Sequence, residues 1–190
     1  FDLEEENQIF EKDGLDAYYK YQLENEDKSL KKGTGYRLVE NILKINSFFS
    51  SDERQVEVII LSKNNAATSL RITNAINDLK LDIIRSAWTS GTNISNYLKA
   101  FKVDLFLSAD DNDVLNAIEN GVAAAKILHS NENIHNISNE QVRIAFDGDA
   151  VLFSEESELV YKNHGLEAFI EHEKENRNNP LEMGPFAKLL

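Results

Sequence analysis

The chain has 190 residues, 42% of them hydrophobic, no cysteine, and a formal charge of -13. That content suits one compact core or a domain with a small appendage, and the missing cysteine excludes disulfides, thiolate catalysis and sulfur metal sites. The acidity argues against nucleic acid or an anionic membrane as partner, and no apolar run approaches the ~20 residues of a membrane span, so a cytoplasmic address is expected.

Residues 2–25 carry Leu3, Ile9, Phe10, Leu15, Tyr18, Tyr19 and Leu23 among charges, which predicts amphipathic helix broken near Gly14. A polar linker over 28–35 leads to a second helical pattern from Tyr36 to Phe48. The β-branched run 56–61 reads as a buried strand, followed by a Ser62-Lys63-Asn64-Asn65 loop and a helix over 69–79. The order then recurs: strand 82–85, a Gly91 loop, a helix over 94–100, strand 103–108, a helix over 113–121 and a strand over 123–128. Alternation of this kind predicts an α/β fold with a Rossmann-like parallel sheet and helices on both faces. Residues 130–140 read as a surface linker, and the apolar run 142–146 as a further strand ending at Asp147-Gly148-Asp149.

The two ends of the chain match. Phe1-Asp2-Leu3-Glu4-Glu5-Glu6 parallels Phe153-Ser154-Glu155-Glu156-Ser157-Glu158 at an offset of 152, and Asp13-Gly14-Leu15-Asp16-Ala17 parallels His164-Gly165-Leu166-Glu167-Ala168 at 151. Leu30 and Gly33 correspond to Leu181 and Gly184. Duplication accounts for this better than chance likeness of two acidic helices. It predicts a first α/β segment over 1–129 that lacks its first strand, and the start of a second copy over 141–190, either as separate bodies or as one combined domain. The chain then reads as a window on a longer tandem protein.

A strand ending in Asp-x-Asp sets two carboxylates at the sheet edge where open α/β folds bind ligands. In a phosphatase the first, Asp147, attacks phosphorus, while the second, Asp149, protonates the leaving oxygen and later activates water. Acids so close repel unless a cation sits between them, and magnesium meets that need. A plain turn is the competing reading, since all three residues favour turns.

The stretch from Phe146 to Ser154 resembles the first motif of the haloacid-dehalogenase (HAD-like) phosphatases. His172-Glu173-Lys174-Glu175, Pro180-Leu181 and Gly184-Pro185 resemble the type I cytosolic 5'-nucleotidases, as do Ser62-Lys63-Asn64-Asn65, Tyr97-Leu98-Lys99-Ala100 and Leu107-Ser108-Ala109-Asp110. The resemblance implies a HAD-like fold with helical cap-like segments and magnesium-dependent hydrolysis of nucleoside monophosphates such as AMP in the cytoplasm. The superfamily's further motifs do not follow Asp149 in this chain. The first copy offers Ser62 and Lys99 to hold phosphate, and Asp110 with Asp111 to join Asp147 and Asp149 on the metal. Each has a structural alternative: Ser62 as a turn cap, Lys99 as a solvated helix residue, Asp110 and Asp111 as a helix N-cap.

A permuted sheet, with the strand ending at Asp147 seated between 56–61 and 103–108, would gather these residues at one edge. His129, His135 and His164 read as surface or packing residues, and His172 as the one a cap could bring to substrate. The rival reading is a non-catalytic α/β fragment that binds a nucleotide or a partner subunit, and self-assembly into a homo-oligomer stays compatible with everything above.

Overall fold

The computed structural model describes residues 1–128 and 141–187. They fall into two compact units, one drawn from Phe1–Ile94 with Ile127–Val142 and the other from Ser95–Lys126 with Arg143–Leu190. The predicted linker over 130–140 lies outside the described residues.

The first unit opens with α1 (Glu4–Glu24) and α2 (Tyr36–Lys44), the latter extended by a short turn over Ile45–Phe48. Then β1 (Ile59–Ser62), α3 (Leu70–Asp78) and β2 (Arg85–Trp88) form a strand, helix and parallel strand, with Ile59 opposite Arg85 and Ser62 opposite Trp88. Its core joins Leu30 to Ile72, Ala75 and Ile76 of α3, with Ile60, Leu81, Ile83, Trp88, Phe1 and Leu3 packed around them. The apolar face of α3 thus covers the ladder, and that burial is the main term holding the element in place.

The second unit repeats the theme with α4 (Ser95–Leu98), β3 (Leu105–Ser108), α5 (Asp111–Glu119) and β4 (Ala123–Lys126). Strands β3 and β4 are parallel, Leu105 facing Ala123 and Ser108 facing Lys126. Leu98 and Ala117 are fully buried, beside buried Phe106, Val122, Ala123 and Ala124. The alternation of strands and helices places the chain in the α/β class, compatible with a Rossmann-like layout.

Two expectations are corrected. The predicted strand over 82–85 begins three residues later, at Arg85, because Asp82 is tied to Arg54 by an ion pair at 2.6 Å and Ile84 is exposed, so the β-branched pair does not enter the ladder. More important, 142–146 is not a strand. Arg143, Ile144 and Ala145 are exposed, and among the described residues this segment joins neither β1 nor β3. The permuted sheet is therefore absent. An apolar run shows only that a segment tolerates burial; a strand also needs a neighbour for its N–H and C=O groups.

The end-to-end match has a structural counterpart. Helix α6 (Glu156–Asn176) is broken at Gly165 as α1 is at Gly14, both glycines holding φ 83° and ψ -176°. That conformation is nearly confined to glycine, and it folds each helix back into two arms. Across the arms, Phe10 meets Tyr18 edge to face at 6.0 Å, and Tyr161 meets Phe169 in the same way at 6.1 Å. Isolated antiparallel bridges, Asp2 with Lys31 and Phe153 with Met183, close the base of each hairpin. At both bases a glycine permits a backbone contact that a Cβ would block: Gly33 against Phe1, Gly184 against Val151 and Phe153. Inside the helices the offset is 151, as Phe10 and Tyr161, Tyr18 and Phe169 show, while at the bases Asp2 N–H donates to Lys31 O and Ser154 N–H to Glu182 O, an offset of 152 on the donor side and 151 on the acceptor side.

Candidate active site

The Asp-Gly-Asp segment forms a tight loop. Residues Gly148–Leu152 make one wide turn in which Ala150 takes a positive φ of 58°, and Asp147 caps it by accepting a hydrogen bond on Oδ1 from the Gly148 N–H at 2.7 Å. Its base is tied to the end of the hairpin, where Gly184 N–H donates to Leu152 O at 2.8 Å and Phe186 N–H to Val151 O at 3.1 Å. The turn alternative of the sequence reading is thus the local geometry, reached without a preceding strand.

The loop nevertheless presents both carboxylates outward. Asp147 and Asp149 are exposed and line one concavity of about 300 Å³ together with Glu158, Tyr161 and Phe169 of α6. The lining is thus part anionic and part aromatic. Glu158 forms an ion pair with Lys162 at 2.8 Å, whose ammonium is held above the ordinary lysine range mainly by the hydrogen bond to Glu158. Neither Tyr161 nor Phe169 is singled out in the sequence reading. The signal that could have found them is the pair of aromatic positions flanking Gly165, since a helix broken there brings them together.

The other candidates stand in different settings. Ser62 ends β1, and its Oγ accepts from the Asn64 N–H at 3.2 Å, the turn-capping role. Lys99 is exposed immediately after α4. Asp110 is the N-cap of α5, accepting from the Asp113 N–H at 2.9 Å, and Asp111 pairs with Lys126 at 2.7 Å. Neither Lys99 nor the Asp110-Asp111 pair lines the hollow of Asp147 and Asp149. His172 lies on α6 at a second, smaller hollow.

Whether magnesium suits the loop depends on donor chemistry. Among the described residues no three His, Asp or Glu side chains converge as a ready-made cage. Magnesium does not require one, because it keeps several waters and is commonly held by one or two carboxylates with substrate phosphate. Two exposed carboxylates on one rim are donors of the right kind and number. Among the described residues no helix is long and apolar enough to cross a membrane.

The sequence family described as 5'-nucleotidase matches residues 1–190. The chain is 33% identical over 194 residues to cytosolic 5'-nucleotidase 1B of Homo sapiens, an alignment that takes in 100% of this chain and 32% of that protein. The chain therefore spans about a third of the length of that relative. No solved structure matches it.

Proposed function

The chain belongs to the 5'-nucleotidase family, and from that premise we propose that Asp147 and Asp149 are catalytic carboxylates of a magnesium-dependent 5'-nucleotidase. Its substrates are (deoxy)nucleoside 5'-monophosphates such as AMP. The observation that carries this reading is the placement of both acids, exposed, on the lining of one hollow together with Tyr161 and Phe169.

The chemistry assigns one task to each acid. An oxygen of Asp147 attacks phosphorus as the bond to the nucleoside 5'-oxygen breaks, giving an aspartyl phosphate. Asp149 gives its proton to the departing oxygen, then takes one from the water that attacks the same phosphorus, which returns the Asp147 carboxylate and inorganic phosphate. The hydrogen bond from the Gly148 N–H occupies Oδ1 of Asp147 and leaves Oδ2 for attack. Bound magnesium, held by Asp147 and Asp149, supplies the positive charge that lets two acids and a phosphate share the space. The aromatic pair offers the face and edge against which a base stacks. Ser62 and Lys99 as phosphate holders, and Asp110 with Asp111 as further metal ligands, are secondary parts of the proposal; Ser62 and Asp110 would act besides their capping roles.

The same reading gives the chain a first segment over 1–129, a second over 141–190 and a cytosolic address. The alternative, a regulatory or oligomer-forming fragment without turnover, is favoured by the capping roles already filled by Ser62 and Asp110. Phosphate release from AMP with magnesium, by this chain and by Asp147→Asn, decides between them. Release by the unaltered chain alone supports the enzyme; equal release by both, or none by either, counts against it.

A further inference from the structure

The first hairpin contains a buried guanidinium. Arg71, the second residue of α3, donates from Nε to the Lys28 carbonyl at 2.9 Å and pairs with the Glu6 carboxylate, both side chains being nearly inaccessible. Its charged end also sits 5.9 Å from the centre of the Tyr21 ring. So a carboxylate, a carbonyl and an aromatic face together clasp one planar cation.

Position by position, the second hairpin rebuilds this clasp. The turn that aims the Lys28 carbonyl is made by Lys28 N–H donating to Asn25 O at 2.9 Å; in the second copy Asn179 N–H donates to Asn176 O at 2.7 Å. Asn25 Nδ2 donates to Tyr21 O at 2.7 Å, and Asn176 Nδ2 to His172 O at 3.0 Å. Tyr21 is held by Glu5 at 2.9 Å, and His172, which takes its place, stands 3.8 Å from Glu156. The carboxylate has changed arms: Glu6 and Gln22 of the first copy are Ser157 and Glu173 in the second, where Ser157 Oγ donates to Glu173 at 2.5 Å.

What differs is the occupant. Around His172, Glu173, Glu156 and Asn179, with exposed Arg177 also on its lining, there is a hollow of about 140 Å³ at the position that corresponds to the guanidinium of the first copy. The equivalent of buried Gln22, Glu173, is exposed. We propose that this hollow is a receptor for the guanidinium of an arginine side chain, carried at the start of a helix that follows a parallel strand, as Arg71 is. The carboxylate of Glu173 would pair with it, the Asn179 carbonyl would accept one N–H, and the His172 ring would lie against its face. This is independent of the hydrolase reading, since neither Asp147 nor Asp149 lines the hollow.

The test uses the chain itself and N-acetyl-arginine methylamide as probe, with N-acetyl-lysine methylamide at equal ionic strength as comparison, followed through the His172 imidazole resonances. A compact ammonium cannot match a planar fork, so the arginine compound should give a saturable shift at about tenfold lower concentration than the lysine compound. Glu173→Gln, an exposed and conservative change, should weaken the arginine response by about tenfold. A shift that does not saturate, that is equal for both compounds, or that survives unchanged in Glu173→Gln overturns the proposal.

Discussion

Gly14 and Gly165 hold the same backbone conformation, φ 83° and ψ -176°, at the break of two helices of equal length. Because an added Cβ meets nothing within 4 Å at either position, substitution there reports conformational strain alone. Gly14→Ala and Gly165→Ala should each destabilise by about 1–3 kcal/mol, read as equal shifts in urea unfolding. Gly184 differs, since a Cβ there would stand 2.4 Å from the Phe153 and Val151 carbonyl oxygens. Gly184→Ala should cost more than Gly165→Ala and should also lower phosphate release, because it displaces the loop that carries Asp147 and Asp149.

The Arg71 and Glu6 pair is buried, so removing one partner leaves the other charge without compensation. Arg71→Met should destabilise by about 3–5 kcal/mol, and the double variant Glu6→Gln, Arg71→Met should recover part of that loss. Chemical denaturation of the three proteins checks it; a double variant no better than the single would refute the pairwise account.

Glu57 and Arg85 form a two-pronged ion pair at the edge of the β1 and β2 ladder, and the hydrogen bond from Arg85 holds the Glu57 carboxyl below its ordinary value of 4.5. A carboxyl whose folded value is lowered adds stability above the unfolded value and loses it as pH falls through the folded one. Glu57→Gln should therefore be less stable than the parent at neutral pH, and the two should converge below about pH 4. Urea midpoints across pH give the comparison; a constant difference would disprove the linkage.

Asp149→Asn should retain substrate binding and slow phosphate release by about 10²–10⁴-fold, the usual share of a general acid and base. Asp147→Asn should abolish release, and so should chelation of magnesium, with recovery when the ion is restored. Steady-state kinetics that show a raised KM and an unchanged kcat for Asp149→Asn would contradict the role given to it.

Asp110→Ala should cost about 1 kcal/mol through loss of the α5 N-cap, while Asp110→Asn keeps the cap. If Asp110 also serves the metal, Asp110→Asn will lower the affinity for magnesium without changing thermal stability. Titration calorimetry beside a melting curve separates the two.

Much of this molecule follows from local sequence. The break at Gly14, the helix after Tyr36 and the helix over Leu70–Asp78 were legible, as were the strands read at 56–61 and 103–108, whose starts lie later at Ile59 and Leu105, because side-chain period and glycine placement are properties of neighbouring residues. The likeness of the two ends, and the pairing of Asp147 with Asp149, were legible for the same reason.

Tertiary structure decided the rest. Whether 142–146 is a strand depends on a partner for its backbone, and which carboxylate faces Arg71 or lines the hollow of Tyr161 and Phe169 depends on how a broken helix folds back. Sequence alone specified which residues could pair; only the chain closed in space settled which ones did, because hydrogen bonds and ion pairs require approach within a few ångströms that no spacing guarantees.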